Sequence, residues 1–352
     1  MVLRNIPIGK RILLGLLPLI IALLLQSVVL IRQQFLDSER GHILSGLVDV
    51  AIQTNAVIHE LQRERGASAL FLGSKGSQFG DQLGEQRKAT DQRIIALEGN
   101  LGSLEAAMVD AFGSTAVQSM RMAINRLPDL RRQIDFLEGR PIEIVSAYSE
   151  MIRILAGTVV RIGIVSPDVQ TAQLISSYVA LTDAKEAAGQ ERATGSAGFA
   201  AGKFDTPLYR RYVELGAEQR TAFILFRRYA SNTSASALKS ALTPEIEEPV
   251  ARMRNVAIDS LVTGTVGEIT GPIWFAAATK RIDAMKTVED LIGSEIQHYA
   301  QAVRDSARRS LFLLSGGLLV LAMVTGMFIA AVVRSIIRPV ANPLCANVLA
   351  TL

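Results

Sequence analysis

Two long uncharged apolar runs, residues 12–31 and 311–333, stand near the ends of the chain and constrain every fold it can adopt. The first, ILLGLLPLIIALLLQSVVLI, holds 20 residues, and the second, LFLLSGGLLVLAMVTGMFIAAVV, is slightly longer. About 20 apolar residues in a helix cover the hydrocarbon of a bilayer, so each run reads as a transmembrane helix. A cleaved signal peptide is the alternative for the first run, but its apolar region is long for that, and the following RQQFLDSERG offers no small-x-small cleavage site. Arg4, Lys10 and Arg11 precede the first run without an acidic residue, which by the positive-inside rule places the N-terminus in the cytoplasm. Arg334 and Arg338 follow the second run, while Arg308 and Arg309 on its other side weaken the contrast. The expected organisation is a cytoplasmic N-terminus at 1–11, a span at 12–31, a periplasmic domain at 32–310, a span at 311–333 and a cytoplasmic tail at 334–352. That arrangement implies the bacterial inner membrane.

Between the runs the chain is rich in Ala, Leu, Gln, Glu and Arg, all good helix formers. Alternating β-branched stretches are scarce, which argues against sheet. The net charge of +4 is small for 352 residues, and the arginines are dispersed without interleaved aromatics, so no nucleic-acid partner is expected. The single cysteine, Cys345, excludes a disulfide framework or a cysteine zinc cluster within the chain. His59 and His298 form no metal or catalytic constellation, and no Walker loop, HExxH or GxSxG is present. Neither an enzyme nor a cofactor is expected. Trp274 and Phe275 read as core.

Apolar residues recur at Leu36, Ile43, Leu47, Val50, Thr54, Val57 and Leu61, a heptad seam on a helix continuous with the first run. Met285, Val288, Ile292, Ile296, Tyr299 and Val303 form a matching seam that leads into the second. Helical stretches are predicted at 81–110, 114–137, 141–163, 168–197, 206–231, 245–263 and 272–303, separated by Gly-, Pro- and Ser-rich breaks. About eight helices imply two four-helix bundles in series or one elongated bundle. An internal similarity supports duplication: Glu64-Arg65-Gly66-Ala67-Ser68-Ala69 before Phe71 resembles Glu191-Arg192-Ala193-Thr194-Gly195-Ser196-Ala197 before Phe199. A Gly-rich turn follows each, then a helix carrying Gln86-Arg87 or Gln219-Arg220.

The first seam passes from Leu61 to Arg65 and Ser68, residues that share a helix face. In the second copy Ile175, Tyr178, Leu181, Lys185, Ala188 and Arg192 form a comparable seam. An arginine on a buried seam needs a partner. One solution is a carboxylate: Glu64, Glu186, Glu191 or one from another helix. The other is a small oxyanion shared by the two guanidinium groups, whose planar forks suit a planar anion. Gly66, Ala67, Ala193, Gly195 and Ser196 beside these arginines would let helices approach closely and leave room for a small ligand.

The motifs Leu61-Gln62-Arg63-Glu64-Arg65-Gly66-Ala67-Ser68, Gln86-Arg87-Lys88-Ala89-Thr90-Asp91 and Lys185-Glu186-Ala187-Ala188-Gly189-Gln190-Glu191-Arg192-Ala193 resemble the nitrate- and nitrite-sensing domain of bacterial receptors over most of residues 45–290. The resemblance implies an all-α domain of two four-helix bundles flanked by the two transmembrane helices. It also implies nitrate or nitrite held by arginines between helices. By motif, Arg65 and Arg192 are the anion ligands; the third arginine falls at Arg252, with Arg254 as its competitor. Residues 334–340, RSIIRPV, look like the opening of a HAMP linker, a pattern lost from Ala341 onward. The resulting expectation is a homodimeric, membrane-anchored, chemoreceptor-like sensor that binds nitrate or nitrite and passes a helix shift across the membrane. Its rival is a tethered helical domain that binds a partner protein or another small anion.

Overall fold

In the computed structural model, residues 8–77, 79–112, 114–165 and 168–332 are described, and among them every regular element is a helix. In chain order these are α1 (Ile8–Gly73), α2 (Gly80–Phe112), α3 (Ser114–Asn125), α4 (Leu127–Asp135), α5 (Pro141–Val165), α6 (Val169–Ala200), α7 (Thr206–Tyr229), α8 (Asn232–Ala241), α9 (Pro244–Thr263) and α10 (Gly271–Val332). The HAMP-like stretch and Cys345 lie outside the described residues. The chain divides into two compact units, Met1–His42 with Ala302–Leu352, and Ile43–Gln301.

In the first unit the apolar run of α1 presents Leu17, Ile21, Leu24, Leu25, Val28 and Val29 at the surface, and α10 does the same with Phe312, Leu313, Leu319, Met323 and Phe328. Gly41 lies against the α10 backbone: a Cβ there would sit 3.3 Å from the Arg304 Cα, so the missing side chain sets the close approach of the two helices. Among the described residues one helix, Gly271–Phe328, is long and apolar enough to cross a membrane by length and composition, not the expected two.

The second unit, Ile43–Gln301, carries the core. Of the α1 seam, Leu47, Val50, Thr54, Val57 and Leu61 are buried, while Leu36 is exposed. Met285, Val288, Ile292 and Ile296 of α10 are buried as their spacing predicts. These residues pack with α2 to α6 and parts of α7 and α8 in one apolar cluster. A smaller cluster joins the end of α6, the start of α7, α9 and the start of α10. Its centre is aromatic: Trp274 lies 5.6 Å from both Phe199 and Tyr212, and Phe204 packs on Phe199 and Tyr212 at 5.3 and 5.1 Å. Offset and edge-on rings at such separations are favourable beyond their area.

Helix starts are fixed by side-chain caps. Asp168, Asp205 and Ser231 accept from the backbone N–H of Thr171, Leu208 and Ser234, each satisfying a donor that the first turn leaves unpaired. The stretch expected as one helix over 114–137 is two, α3 and α4, with a proline in the first turn of α4. The break expected after Ser231 is instead the cap of α8, which buries Leu238.

Candidate functional site

The seam of α1 carries Glu64 and Arg65 into the interior, where they take different partners. Glu64 is fully buried and accepts from Nε and Nη2 of Arg131 at 2.7 and 2.9 Å, and from the Tyr148 hydroxyl at 2.8 Å. Burial, followed by the adjacent Glu64 carboxylate, pushes the Tyr148 hydroxyl well above its ordinary pKa, so it stays a donor. Glu191 on α6 repeats the arrangement. It accepts from Nε and Nη2 of Arg254, both at 2.6 Å, and from Gln219 at 2.8 Å. Each glutamate is thereby neutralised by its own arginine, from α4 in one case and α9 in the other.

That leaves the neighbouring arginines to face elsewhere, and again they match. Arg65 donates from Nη1 to the Ser149 hydroxyl at 2.9 Å, across 84 residues of sequence. Arg192 donates from Nη1 to the Thr279 hydroxyl, also at 2.9 Å, across 87 residues. Helix α1 with α5, and α6 with α10, therefore present an arginine and a hydroxyl in the same relation. The sequence similarity between residues 64–71 and 191–199 is thus accompanied by matching arginine–hydroxyl contacts.

The two arginines differ in their counter-charge. Arg65 makes a bidentate ion pair with Glu186 of α6, through Nη1–Oε1 and through Nη2–Oε2 at 3.1 Å. Glu186 also accepts from Gln62 at 2.8 Å and from Gln190 at 2.7 Å. Arg192 is half-buried, packs on the Phe275 ring at 4.7 Å, and has no carboxylate partner at ion-pair distance among the described residues. Burial lowers its pKa; Asp283 opposes that shift and Arg65 adds to it. The guanidinium of Arg65 is therefore close enough to raise the cost of the Arg192 charge. Gly189, three residues before Arg192 on α6, lies against Arg65: a Cβ there would sit 3.7 Å from its Nη2.

Arg252 is not brought to this place. Its side chain is 71% exposed and pairs with Glu248 on its own helix at 3.8 Å. Arg254, its competitor in the sequence reading, is the inward one, held on Glu191 and Gln219. Gly195 does not leave room for a ligand: a Cβ there would lie 2.3 Å from Trp274 Nε1, so the gap is filled by the indole, whose N–H donates to the Arg192 carbonyl at 2.9 Å. Phe275, expected in the core, is 38% exposed and instead covers Arg192. The sequence reading missed Ser149 and Thr279, short hydroxyl residues on other helices with no local signal.

A second polar layer lies along α1, α6 and α10. Lys185 and Glu289 form an ion pair of 2.5 Å with both side chains essentially inaccessible. Burial pushes Lys185 below its ordinary pKa against the pull of Glu289. His59 is half-buried beside it and is brought down to about 2, first by burial and then by Lys185 and Lys286. Among the described residues no group of three or more His, Cys, Asp or Glu is placed to hold a metal ion.

The described residues form an all-helical domain that carries Arg65 and Arg192 on inward helix faces. The chain belongs to the family described as nitrate and nitrite sensing, whose model matches residues 56–297. It is 28% identical over 275 residues to the nitrate regulatory protein of Klebsiella oxytoca, covering 77% of this chain and 68% of that protein. Its fold matches the structure of the NasR transcription antiterminator with a TM-score of 0.66 and 27% identity, over 81% of each chain.

These relatives overturn the expectation of a membrane-anchored, chemoreceptor-like sensor in the inner membrane with a periplasmic domain. They are described as a regulatory protein and a transcription antiterminator. The charge argument for that topology was weak because Arg308 and Arg309 balance Lys10 and Arg11. The exclusion of nucleic acid as a partner class falls with it, since the matched structure is that of an antiterminator of transcription. Composition was a poor guide here: Arg65, Arg131, Arg254 and Arg281 are engaged in internal ion pairs, so arginine dispersal carries no information about the surface.

Proposed function

We propose that the chain is an input domain that binds nitrate or nitrite between Arg65 and Arg192, and that the bound anion changes how α1 and α6 pack. One observation carries this reading. Two arginines at matching positions of a repeated motif act on one another electrostatically, and one of them, Arg192, makes no ion pair among the described residues, Asp283 reaching it only from a distance. An anion that accepts from both forks would relieve their mutual repulsion and give Arg192 a counter-charge at contact distance. The family description supports nitrate and nitrite as the ligand class. We read the helices as two four-helix bundles, α1, α2, α3 with α4, and α5 followed by α6, α7, α9 and α10, in keeping with the matching networks at Glu64 and Glu191. The domain acts by binding, not catalysis, and the descriptions of its relatives favour an output through a partner in gene regulation.

Titration calorimetry tests the site. The chain should bind nitrate or nitrite in a chloride background, and Arg65→Ala and Arg192→Ala should each abolish binding while circular dichroism stays helical. Normal binding by either variant would refute the shared site.

A further inference from the structure

We propose that Glu186 is a built-in competitor for the anion: a carboxylate that occupies the Arg65 half of the cradle until a planar oxyanion displaces it. This rests on the anion site described above and specifies what the anion must overcome.

Four donor groups converge on the two oxygens of Glu186: Nη1 and Nη2 of Arg65, Gln62 at 2.8 Å and Gln190 at 2.7 Å. A bidentate guanidinium–carboxylate pair uses two coplanar oxygens, the same geometry that nitrate or nitrite presents. Glu186 therefore fills the place that such an anion would take at Arg65.

Its surroundings distinguish it from a purely structural partner. Glu64 and Glu191 have side chains only 0% and 3% exposed, each fastened by its own arginine from another helix. Glu186 is 18% exposed, and its cationic partner is Arg65. A carboxylate at that edge regains water on swinging outward, so its release costs far less than that of Glu64. Glu186, Gly189 and Arg192 follow one another at steps of three along one face of α6. Glu186 and Arg192, the latter without an ion pair among the described residues, thus stand three residues to either side of Gly189, where an added Cβ would sit 3.7 Å from Arg65 Nη2. Displacing Glu186 also removes the acceptor shared by Gln62 of α1 and Gln190 of α6, and so breaks a hydrogen-bonded link between these helices. The competitor consequently sets the anion concentration at which the packing of α1 on α6 changes.

The test is nitrate titration calorimetry on the full chain and on Glu186→Gln and Glu186→Asp, with thermal melting recorded for each. The isosteric Glu186→Gln should bind nitrate about tenfold more tightly than the wild type, and Glu186→Asp, whose shortened carboxylate reaches Arg65 poorly, should fall between them. Should Glu186→Gln fail to fold, the aspartate variant gives the same reading. Unchanged or weaker affinity in the folded variants, with wild type binding and Arg192→Ala not, would overturn the competitor and leave the shared site standing. Absence of binding in the wild type and in Glu186→Gln alike would remove the site and the competitor together.

Discussion

At the scale of single residues, the arginines sort by what neutralises them, and this sorting decides what each substitution does. Among the described residues Arg254 is the one guanidinium bonded to the buried Glu191 carboxylate, so Arg254→Ala strands a charge in the interior. It should destabilise the fold by about 3–5 kcal/mol, read from urea denaturation. Arg252, two residues away and mostly exposed, should tolerate alanine within about 0.5 kcal/mol and leave nitrate affinity unchanged. His59 gives a pH dependence of known sign. Its folded-state pKa of about 2 lies below the ordinary 6.5, so the unfolded chain takes up the proton first as pH falls. The stability this residue contributes is intact above pH 6.5 and declines between there and pH 2, with a slope of at most about 1.4 kcal/mol per pH unit. His59→Gln should flatten the denaturation midpoint between pH 7 and 5; an identical slope in the variant would mean that other groups govern it.

At the scale of elements, the helices and their seams were legible because burial repeats with the helical period. Leu47, Val50, Val57 and Leu61 announced the inward face of α1, and that face led to Arg65. The split at Arg126 and the presence of α8 were not legible. Both depend on local capping around short helices, and Ser-rich sequence near Ser231 reads equally as a loop. Arg65 and Arg192 were singled out through the seams and the repeat, and both prove to face other helices. Glu186 was visible only as one of several possible carboxylates, because periodicity names a face and not the partner opposite. Gly195 looked like room for a ligand, but its space is taken by Trp274 from far along the chain, a relation that spacing does not encode. Gly195→Ala should therefore lower stability by roughly 1–3 kcal/mol through displacement of the indole. A thermal melt checks this: an unshifted midpoint would show that α10 yields freely at that point.

At the scale of the whole molecule, the Ile43–Gln301 unit holds two matching networks, each with a glutamate locked by an arginine and an adjacent arginine bonded to a hydroxyl. The short motifs that match in sequence are the ones at which these networks lie. What was misread was the setting: the apolar runs and the basic residues before the first of them pointed to a membrane receptor, whereas the relatives are described as a nitrate regulatory protein and a transcription antiterminator. Runs of apolar residues report a surface that avoids water, not the pathway in which a chain acts. The central claim is that one planar anion bridges the two halves of the duplication. An experimental structure determined with nitrate tests it most directly. It should show one nitrate accepting from both Arg65 and Arg192, with Glu186 no longer on Arg65. Nitrate bound elsewhere, or held by one of the two arginines alone, would contradict it.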